Sequence, residues 1–179
     1  GVPFQANTDS NGQKWVPRAG LVYKYTDAVS FYGSYTESFK PNSTIAPLSG
    51  SSTVLDGGIA PEEAKSWELG AKLDLPGRVT GNIALFDIKK RNVLVANAEG
   101  PVTLYSAAGE VRSRGLEVDL SGQLSDRWSM IGSYAYTDAE VTEDPDYKGK
   151  KLQNVAKNTG SLSAVYDFGT IVGGDQFRV

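Results

Sequence analysis

Apolar and polar side chains alternate at every second position along most of this chain. In residues 69–75, leucine and alanine occupy the odd positions, while glycine, lysine and aspartate occupy the even ones. Similar alternation recurs in residues 116–121, 128–137 and 161–168. Successive side chains of a β-strand point to opposite faces. The pattern therefore predicts strands with one apolar face and one more polar face.

The alternation predicts seven complete strands and the beginning of an eighth. Their length, about 10–13 residues, exceeds the mode of ~5–6 residues in soluble sheets. It matches the roughly 9–11 residues with which a tilted strand crosses a bilayer. The predicted strands cover residues 16–25, 29–38, 64–75, 79–91, 110–122, 128–141, 155–168 and 176–179.

Short turns and long loops alternate strictly between these strands. All short turns then lie at one edge of the sheet and all long loops at the other, as in outer-membrane barrels. Tyr and Trp gather near the strand ends, where membrane proteins place interfacial aromatic residues. These features favour an all-β, antiparallel, up-and-down membrane barrel. The short turns are predicted at residues 26–28, 76–78, 123–127 and 169–174, and the long loops at 39–60, 92–106 and 142–151.

Two segments do not follow the pattern cleanly. In residues 79–91 neither set of alternate positions is uniformly apolar, so the sequence leaves the facing of this strand open. In residues 61–68, a proline followed by two glutamates is typical of a helix start. Stronger alternation begins at Trp67, so we expect at most one helical turn before the third strand.

Composition excludes several classes of function. The chain has 179 residues and a net charge of −3, without the basic surface that nucleic acid binding requires. It contains no histidine and no cysteine, which excludes imidazole and thiolate metal sites and His-dependent triads within these residues. A mean hydropathy of −0.31 is compatible with a barrel, since half of each strand faces the interior.

Charged residues inside the predicted strands carry alternative interpretations. Glu117 and Asp119 could steer a substrate in a barrel interior, but pairing with basic residues on neighbouring strands is the favoured interpretation. Arg112 and Arg114 share the parity of the apolar positions that follow them. We expect them beyond the lipid zone, unless a bulge at Gly115 shifts their phase.

Two groups of carboxylates could in principle carry chemistry. Glu62 and Glu63 are adjacent, so their side chains point apart on a strand, which disfavours an acid–base pair. Glu143, Asp144 and Asp146 could bind a cation such as Ca²⁺, but their spacing fits no EF-hand loop, and a solvated run of charges is favoured. We therefore predict no catalytic residues and no metal ligands in this chain.

Three aromatic residues in or beside the long loops are candidate ligand contacts: Phe39, Tyr105 and Tyr147. Exposed loop aromatics contact small molecules in many binding sites. The sequence does not rank these three against other loop side chains, and the ligand-binding residues stay unknown at this point.

Five segments of the sequence resemble the carboxy-terminal half of the barrel of TonB-dependent siderophore receptors, ferrichrome and pyoverdine receptors in particular. The resemblance extends from about Pro17 to the end of the chain. The family often has proline where this chain has Ala156. In chain order the segments are YTESFKPNS (35–43), EEAKSWELGAKLDL (62–75), ALFDIKKRNV (84–93), AGEVRSRGLEVDLSGQLSDRWSM (108–130) and SYAYTDAEVTEDPDYKGKKLQNVAKNT (133–159).

The resemblance implies a twenty-two-stranded transmembrane barrel with an amino-terminal plug domain inside it. Residues 1–179 would be a fragment of that barrel, with seven to eight strands and without the plug. Such receptors lie in the outer membrane of Gram-negative bacteria and take up ferric siderophores when TonB pulls on a short TonB box. The implied partners are the ferric siderophore, TonB, the plug and outer-membrane lipid. No cofactor is implied in the chain, since the siderophore's own oxygen atoms hold the iron.

Two other classes of protein remain open. A soluble β-rich binding module with no transport role would explain the modest hydropathy, and it would fold as a compact monomer without detergent. An enzyme barrel, such as an outer-membrane lipase or protease, is disfavoured because the sequence has no histidine and no nucleophile elbow.

Overall fold

The computed structural model describes residues 13–40, 53–55, 60–75, 78–99, 102–107, 109–144, 146–170 and 176–178. No helix among these residues is long and apolar enough to span a bilayer. The described residues form β-strands joined by turns. The strands are β1 (Arg18–Lys24), β2 (Val29–Lys40), β3 (Thr53–Leu55), β4 (Glu62–Leu75), β5 (Val79–Arg91), β6 (Leu94–Glu99), β7 (Val102–Ala107), β8 (Glu110–Gln123), β9 (Trp128–Glu143), β10 (Asn158–Thr170) and β11 (Gln176–Arg178).

Eight of these strands form one main sheet in the order β1-β2-β4-β5-β8-β9-β10-β11. All neighbours are antiparallel, and the order follows the chain, so the connectivity is up-and-down. Seven strands have 7 to 16 residues, and β11 has 3. The predicted seven strands and the beginning of an eighth are confirmed.

The register brings the predicted apolar positions of neighbouring strands onto one face. Across the middle of the sheet, Phe31 lies opposite Ala71, and Ala71 lies opposite Ile83. Ile83 in turn lies opposite Val118, which lies opposite Tyr134. We call the face that carries these side chains the outer face. The inner face carries the alternate row Tyr32, Gly70, Ala84, Glu117 and Ala135.

The register also settles the facing of β5, which the sequence left open. Ile83 and Leu85 belong to the outer face, and both are exposed there. The inner face of β5 is also partly apolar because Ala84 and Phe86 pack against neighbouring strands. Ala84 is 3 % exposed, and the Phe86 ring lies over Gly115, where an added Cβ would come within 2.9 Å of the ring.

The main sheet is not covered by a second layer among the described residues. Within them, the only buried apolar side chains are Ala84 and Ala139. The whole chain exposes 13229 Å², whereas a compact globular protein of this mass exposes about 8,400 Å². Soluble domains bury the apolar face of a sheet against another element, so this architecture does not support a soluble module.

Two predicted long loops contain strands, which corrects the prediction. In the loop predicted at 92–106, β6 and β7 form an antiparallel hairpin. From the loop predicted at 39–60, β3 pairs in parallel with β7. These strands form a separate three-stranded sheet in the order β3-β7-β6. They are short, and β3 pairs with a distant partner, so local alternation could not reveal them.

The segment at residues 61–68 contains no helical turn. β4 begins at Glu62, which lies opposite Lys40 of β2, and Glu63 lies opposite Arg91 of β5. The neighbouring strands on both sides provide hydrogen-bond partners for the backbone of this segment. Those bonds favour a strand over the helix that the local sequence suggests. The expectation of at most one helical turn before this strand is met, since the segment contains none.

The segment predicted as a third long loop, residues 142–151, is partly ordered against β9. β9 itself extends to Glu143. After the turn at Tyr147, the Val141 amide donates to the carbonyl of Lys150 at 2.9 Å, and the Leu152 amide donates to that of Ala139 at 3.1 Å. β10 begins at residue 158 rather than near the predicted 155.

The described parts of the predicted short turns agree with expectation. The amides of Tyr25 and Thr26 both donate to the carbonyl of Val29. The Leu124 amide donates to the carbonyl of Trp128 at 2.8 Å. Residues 76–77 and 171–175 lie outside the described residues. We call this side of the sheet the turn edge and the opposite side the loop edge.

Candidate functional site

The outer face of the main sheet carries an exposed apolar band. Leu69 is 63 % exposed and Leu85 is 58 % exposed, and they lie opposite each other. The apolar run from Trp67 to Leu75 measures about 27 Å along an extended strand. At the tilt of barrel strands that corresponds to about 20 Å of height, close to the roughly 25 Å apolar band of outer-membrane barrels. The band fits a lipid environment.

Aromatic pairs flank this band on the outer face. At the turn edge the ring centroids of Trp128 and Tyr166 are 4.8 Å apart, and those of Tyr166 and Phe168 are 4.6 Å apart. Towards the loop edge, Tyr35 and Trp67 are 4.4 Å apart. Tyr and Trp concentrate at both membrane interfaces in barrels. The positions agree with the predicted interfacial girdle.

Beyond the band, towards the loop edge, the outer face becomes charged. The Arg112 guanidinium forms a bidentate ion pair with Asp87, with Nε 3.0 Å from Oδ1. Arg114 Nη2 lies 3.7 Å from Asp138 Oδ2. Both arginines keep the outer-face parity, as predicted. The alternative of a bulge at Gly115 is wrong, since the register shifts only at the start of β8.

The start of β8 is held by a buried carboxylate that the sequence analysis missed. Glu110 is 5 % exposed. Its carboxylate accepts hydrogen bonds from Arg91 Nε at 2.7 Å and from the Thr142 hydroxyl at 3.0 Å. Gly109, at a φ of 74°, precedes it, and the Gly109 carbonyl accepts a hydrogen bond from the Asn92 amide at 3.1 Å. Gly109 was the one feature of the sequence that marked this position. The partners of Glu110 could not be predicted, because they depend on which residues the strand register brings opposite it.

Lys151 ties the returning segment to β9. Its ammonium donates to Asp138 and, at 3.2 Å, to Oε2 of Glu140. These two hydrogen bonds raise the pKa of Lys151 above its ordinary value. The segment is therefore fixed electrostatically as well as by backbone hydrogen bonds.

The inner face carries a polar cluster around Tyr32. The Tyr32 hydroxyl donates to Glu68 Oε1 at 2.7 Å and lies 3.3 Å from Asn82 Oδ1. Its ring covers Gly70, where an added Cβ would meet the ring at 2.5 Å. Lys72 Nζ lies 5.5 Å from the ring centroid. Alternation along β2 could indicate the face of Tyr32, but only the register shows that Gly70 lies opposite it.

Glu117 and Asp119 do not pair with basic residues across the sheet. Glu117 lies between Ala84 and Ala135, and Asp119 lies between Asn82 and Ser133. In the described part of the chain, neither carboxylate forms an ion pair. The favoured interpretation of these residues is therefore wrong, because the register opposes them with small or neutral side chains.

The other predicted carboxylates have structural partners. Glu62 pairs with Lys90 at 2.6 Å and Glu63 with Lys14 at 2.5 Å, as expected for side chains that point apart. Asp144 accepts hydrogen bonds from the amides of residues 146 and 147, which shapes the turn. No group of three or more Asp, Glu, His or Cys side chains within the described residues is arranged to hold a metal ion.

The three loop aromatics occupy different places. Phe39 is a half-buried outer-face residue near the end of β2, opposite Glu63. Tyr147 is exposed in the turn after β9, with Lys150 Nζ 4.9 Å from its ring centroid. Tyr105 lies on β7, which belongs to the separate three-stranded sheet and not to the main sheet. Their role as ligand contacts stays a prediction.

The sequence matches a family model described as TonB dependent receptor-like, beta-barrel, over residues 1–178. It is 42 % identical over 154 residues to the metal-pseudopaline receptor CntO of Pseudomonas aeruginosa, which covers 85 % of this chain and 21 % of that protein. It is 40 % identical over 156 residues to the ferrichrome outer membrane transporter/phage receptor of Escherichia coli, covering 84 % of this chain and 19 % of that protein.

A solved structure agrees with these matches. The siderophore receptor PiuA from Acinetobacter baumannii superposes with a TM-score of 0.67 and 28 % identity, covering 83 % of this chain and 23 % of that one. The chain thus spans about a fifth of the length of the curated relatives it matches. The fold of the main sheet is that of a segment of receptor barrel wall.

Proposed function

Because the chain belongs to the TonB-dependent receptor β-barrel family, we propose that it forms part of the wall of a receptor that takes up ferric siderophores with energy delivered through TonB. Its location is the outer membrane of a Gram-negative bacterium. The family consists of receptors and transporters rather than enzymes. We propose that this segment carries no catalytic residue and contributes wall and outward loops.

The observation that carries the proposal is the contrast between the two faces of one sheet layer. An exposed apolar band flanked by aromatic residues suits lipid, and a polar opposite face suits a wet interior. Every strand of the main sheet except those at its two edges is paired on both sides, as an apolar solvent requires. We propose that residues 1–179 are one segment of a twenty-two-stranded barrel.

We propose that the inner face contacts the plug domain of the intact receptor. Glu68, Glu117 and Asp119 form an acidic patch there, with Lys72 as a nearby cation on the same face. Among the described residues Glu117 and Asp119 form no ion pair, which favours a basic partner from elsewhere, because an unpaired charge in a partly enclosed site is costly. The plug is the element that fills such a barrel.

Substitution of Glu117 tests this contact in the intact receptor. Glu117→Gln should speed hydrogen exchange of plug amides that face this wall, since it removes one charge of the patch. Asp74→Asn is the control, because Asp74 shares the inner-face parity but lies at the turn edge. Unchanged plug exchange in Glu117→Gln would refute the contact.

The metal would be held by the chelator, not by protein side chains, so this segment needs no metal ligands. A ferric siderophore is the proposed substrate class, in line with the ferrichrome transporter among the relatives. A second candidate is a metallophore complex of another metal, which the match to the metal-pseudopaline receptor favours.

Whole-cell uptake tests the transport proposal. A strain that lacks the intact receptor should lose uptake of the iron-loaded siderophore, and restoring the gene should recover it only when TonB is present. The same chelator loaded with another transition metal separates the two candidates. Uptake that does not depend on the receptor, for every chelate tried, would reject the proposal.

A further inference from the structure

A buried carboxylate is unexpected in a sheet that has no second layer among the described residues. Among the side chains that the structure describes, Glu110 is the only buried polar or charged one, and the other two buried residues are alanines. Removal of a charge from water carries a large desolvation penalty, which even a good partner often does no more than offset. Stability alone therefore does not explain why this carboxylate is buried, and its contacts suggest a geometric role instead.

The Glu110 carboxylate joins three neighbouring strands at the loop edge. Arg91, at the end of β5, donates from Nε to Oε2 at 2.7 Å. The Thr142 hydroxyl, near the end of β9, donates to Oε1 at 3.0 Å and lies 3.1 Å from the Glu110 carbonyl oxygen. Because Arg91 and Thr142 use different carboxylate oxygens, both bonds form at once. They hold the loop-edge ends of β5, β8 and β9 together.

The backbone around Glu110 is shaped for these contacts. The register between β8 and β9 shifts between Glu110 and Val111, which makes Thr142 an extra residue in the ladder. Such a β-bulge redirects side chains and is common at the rims of barrels. Before Glu110, Gly109 has a φ of 74°, and an added Cβ would collide with the Glu143 carbonyl oxygen. Only glycine fits this close approach of the two strands.

Two loop-edge segments begin at these contacts. The hairpin of β6 and β7 leaves the main sheet after β5 and returns at the start of β8. At its base, the Asn92 amide donates to the Gly109 carbonyl at 3.1 Å. The turn after β9 begins two residues beyond Thr142. The hairpin carries Tyr105 and the turn carries Tyr147, so the carboxylate lies at the common base of two candidate ligand contacts.

We propose that Glu110 is a positioning residue for ligand binding: its carboxylate holds the β6–β7 hairpin and the turn after β9 in one arrangement before a chelate binds. The inference rests on the receptor assignment of the proposed function, in which both segments face outward. Segments that must be ordered during binding lower the affinity, because the lost freedom opposes association. Two segments that share a fixed base avoid part of that loss. We call the contacts of Glu110 with Arg91 and Thr142 the Glu110 clamp.

Distances between two spin labels test the clamp without any ligand. Cysteine labels would be placed at Thr103 of β7 and at Lys148 in the turn after β9, in the intact receptor freed of other cysteines and held in lipid vesicles. The unsubstituted receptor should give a narrow distance distribution, and Glu110→Ala should broaden it. Glu110→Gln should keep it narrow, because the new amide can accept from Arg91 and donate to Thr142. An unchanged distribution in Glu110→Ala would overturn the clamp.

Asp87→Ala is the matched control. It removes a carboxylate that also joins β5 to β8 on the outer face, through Arg112, but that lies farther from the loop edge. Its distance distribution should stay narrow, and broadening equal to that of Glu110→Ala would overturn the proposal. Thr142→Val is the second variant if Glu110→Ala does not fold. It keeps the bond from Arg91, removes the tie to β9, and should still broaden the distribution.

Binding and uptake separate the clamp from the transport function. The probe is iron-loaded ferrichrome, the chelate named for one relative. Glu110→Ala should raise both the Kd and the KM of uptake by about three- to tenfold, the loss expected when binding must order one or two more side chains. The maximal uptake rate should not change. An unchanged Kd would overturn the positioning role, even with a broadened distance distribution. Absence of any receptor-dependent uptake in the unsubstituted strain would instead reject the transport function, and the label distances would still decide whether the clamp exists.

Discussion

The outer and inner faces of the main sheet differ in what their side chains contact. On the outer face Leu69 and Leu85 stay exposed. On the inner face Tyr32 folds over Gly70 and hydrogen-bonds to Glu68. The same hydrogen-bonded ladder supports both faces. The difference shows that the outer face is suited to a disordered apolar solvent, while the inner face is built from specific side-chain contacts.

The largest expected effect comes from placing a charge in the apolar band. Val118→Arg should lower the free energy of unfolding in a bilayer by about 2–4 kcal/mol, because the guanidinium would enter the lipid region. Asp119→Asn, the adjacent inner-face change, should have a much smaller effect. Urea titration of the intact receptor in lipid vesicles measures both, and equal damage from the two would contradict the assignment of the faces.

Crowding the inner face should have the next largest effect. Gly70→Ala places a Cβ 2.5 Å from the Tyr32 ring, so the ring must move. We expect a loss of about 1–3 kcal/mol, the usual result of overpacking. Gly20→Ala, on the same face of β1, has its nearest neighbour at 3.7 Å and should be tolerated. Equal stability of the two variants in urea titration would show that Tyr32 does not pack as described.

Removing one hydroxyl should have the smallest effect. Tyr32→Phe keeps the ring over Gly70 but removes the hydrogen bond to Glu68. The free energy of unfolding should fall by about 0.5–1.5 kcal/mol, the net value of a typical hydrogen bond. Tyr23→Phe on β1 is the control, because that side chain is exposed on the outer face. A Tyr32→Phe loss as large as that of Gly70→Ala would mean that the hydroxyl, not the ring packing, dominates the inner cluster.

The sequence was sufficient for the strands of the main sheet because each alternates over many residues. It was not sufficient for the facing of β5, where Asp87 interrupts the outer-face pattern and Ala84 and Phe86 add apolar groups to the inner face. Only the pairing with β4 and β8 shows which set of alternate β5 residues lies on the outer face.

Contacts across strands were the least predictable feature. Alternation gives the face of each residue but not the residue that lies opposite. Glu117 was therefore expected beside a basic residue and lies beside Ala84 and Ala135. For the same reason the placement of Lys65 directly opposite Lys89 was not foreseen. The hairpin of β6 and β7 was missed because its strands are short and lack clear alternation.

Accessibility of single-cysteine spin labels tests the assignment of the faces most directly, and this segment contains no cysteine of its own. Labels would be placed in turn at Val118, Asp119 and Leu120 of the intact receptor in lipid vesicles. Labels at 118 and 120 should collide preferentially with oxygen dissolved in the lipid, and a label at 119 should be shielded from the lipid. Accessibility that does not alternate along these positions, or alternates in the opposite phase, would contradict the account.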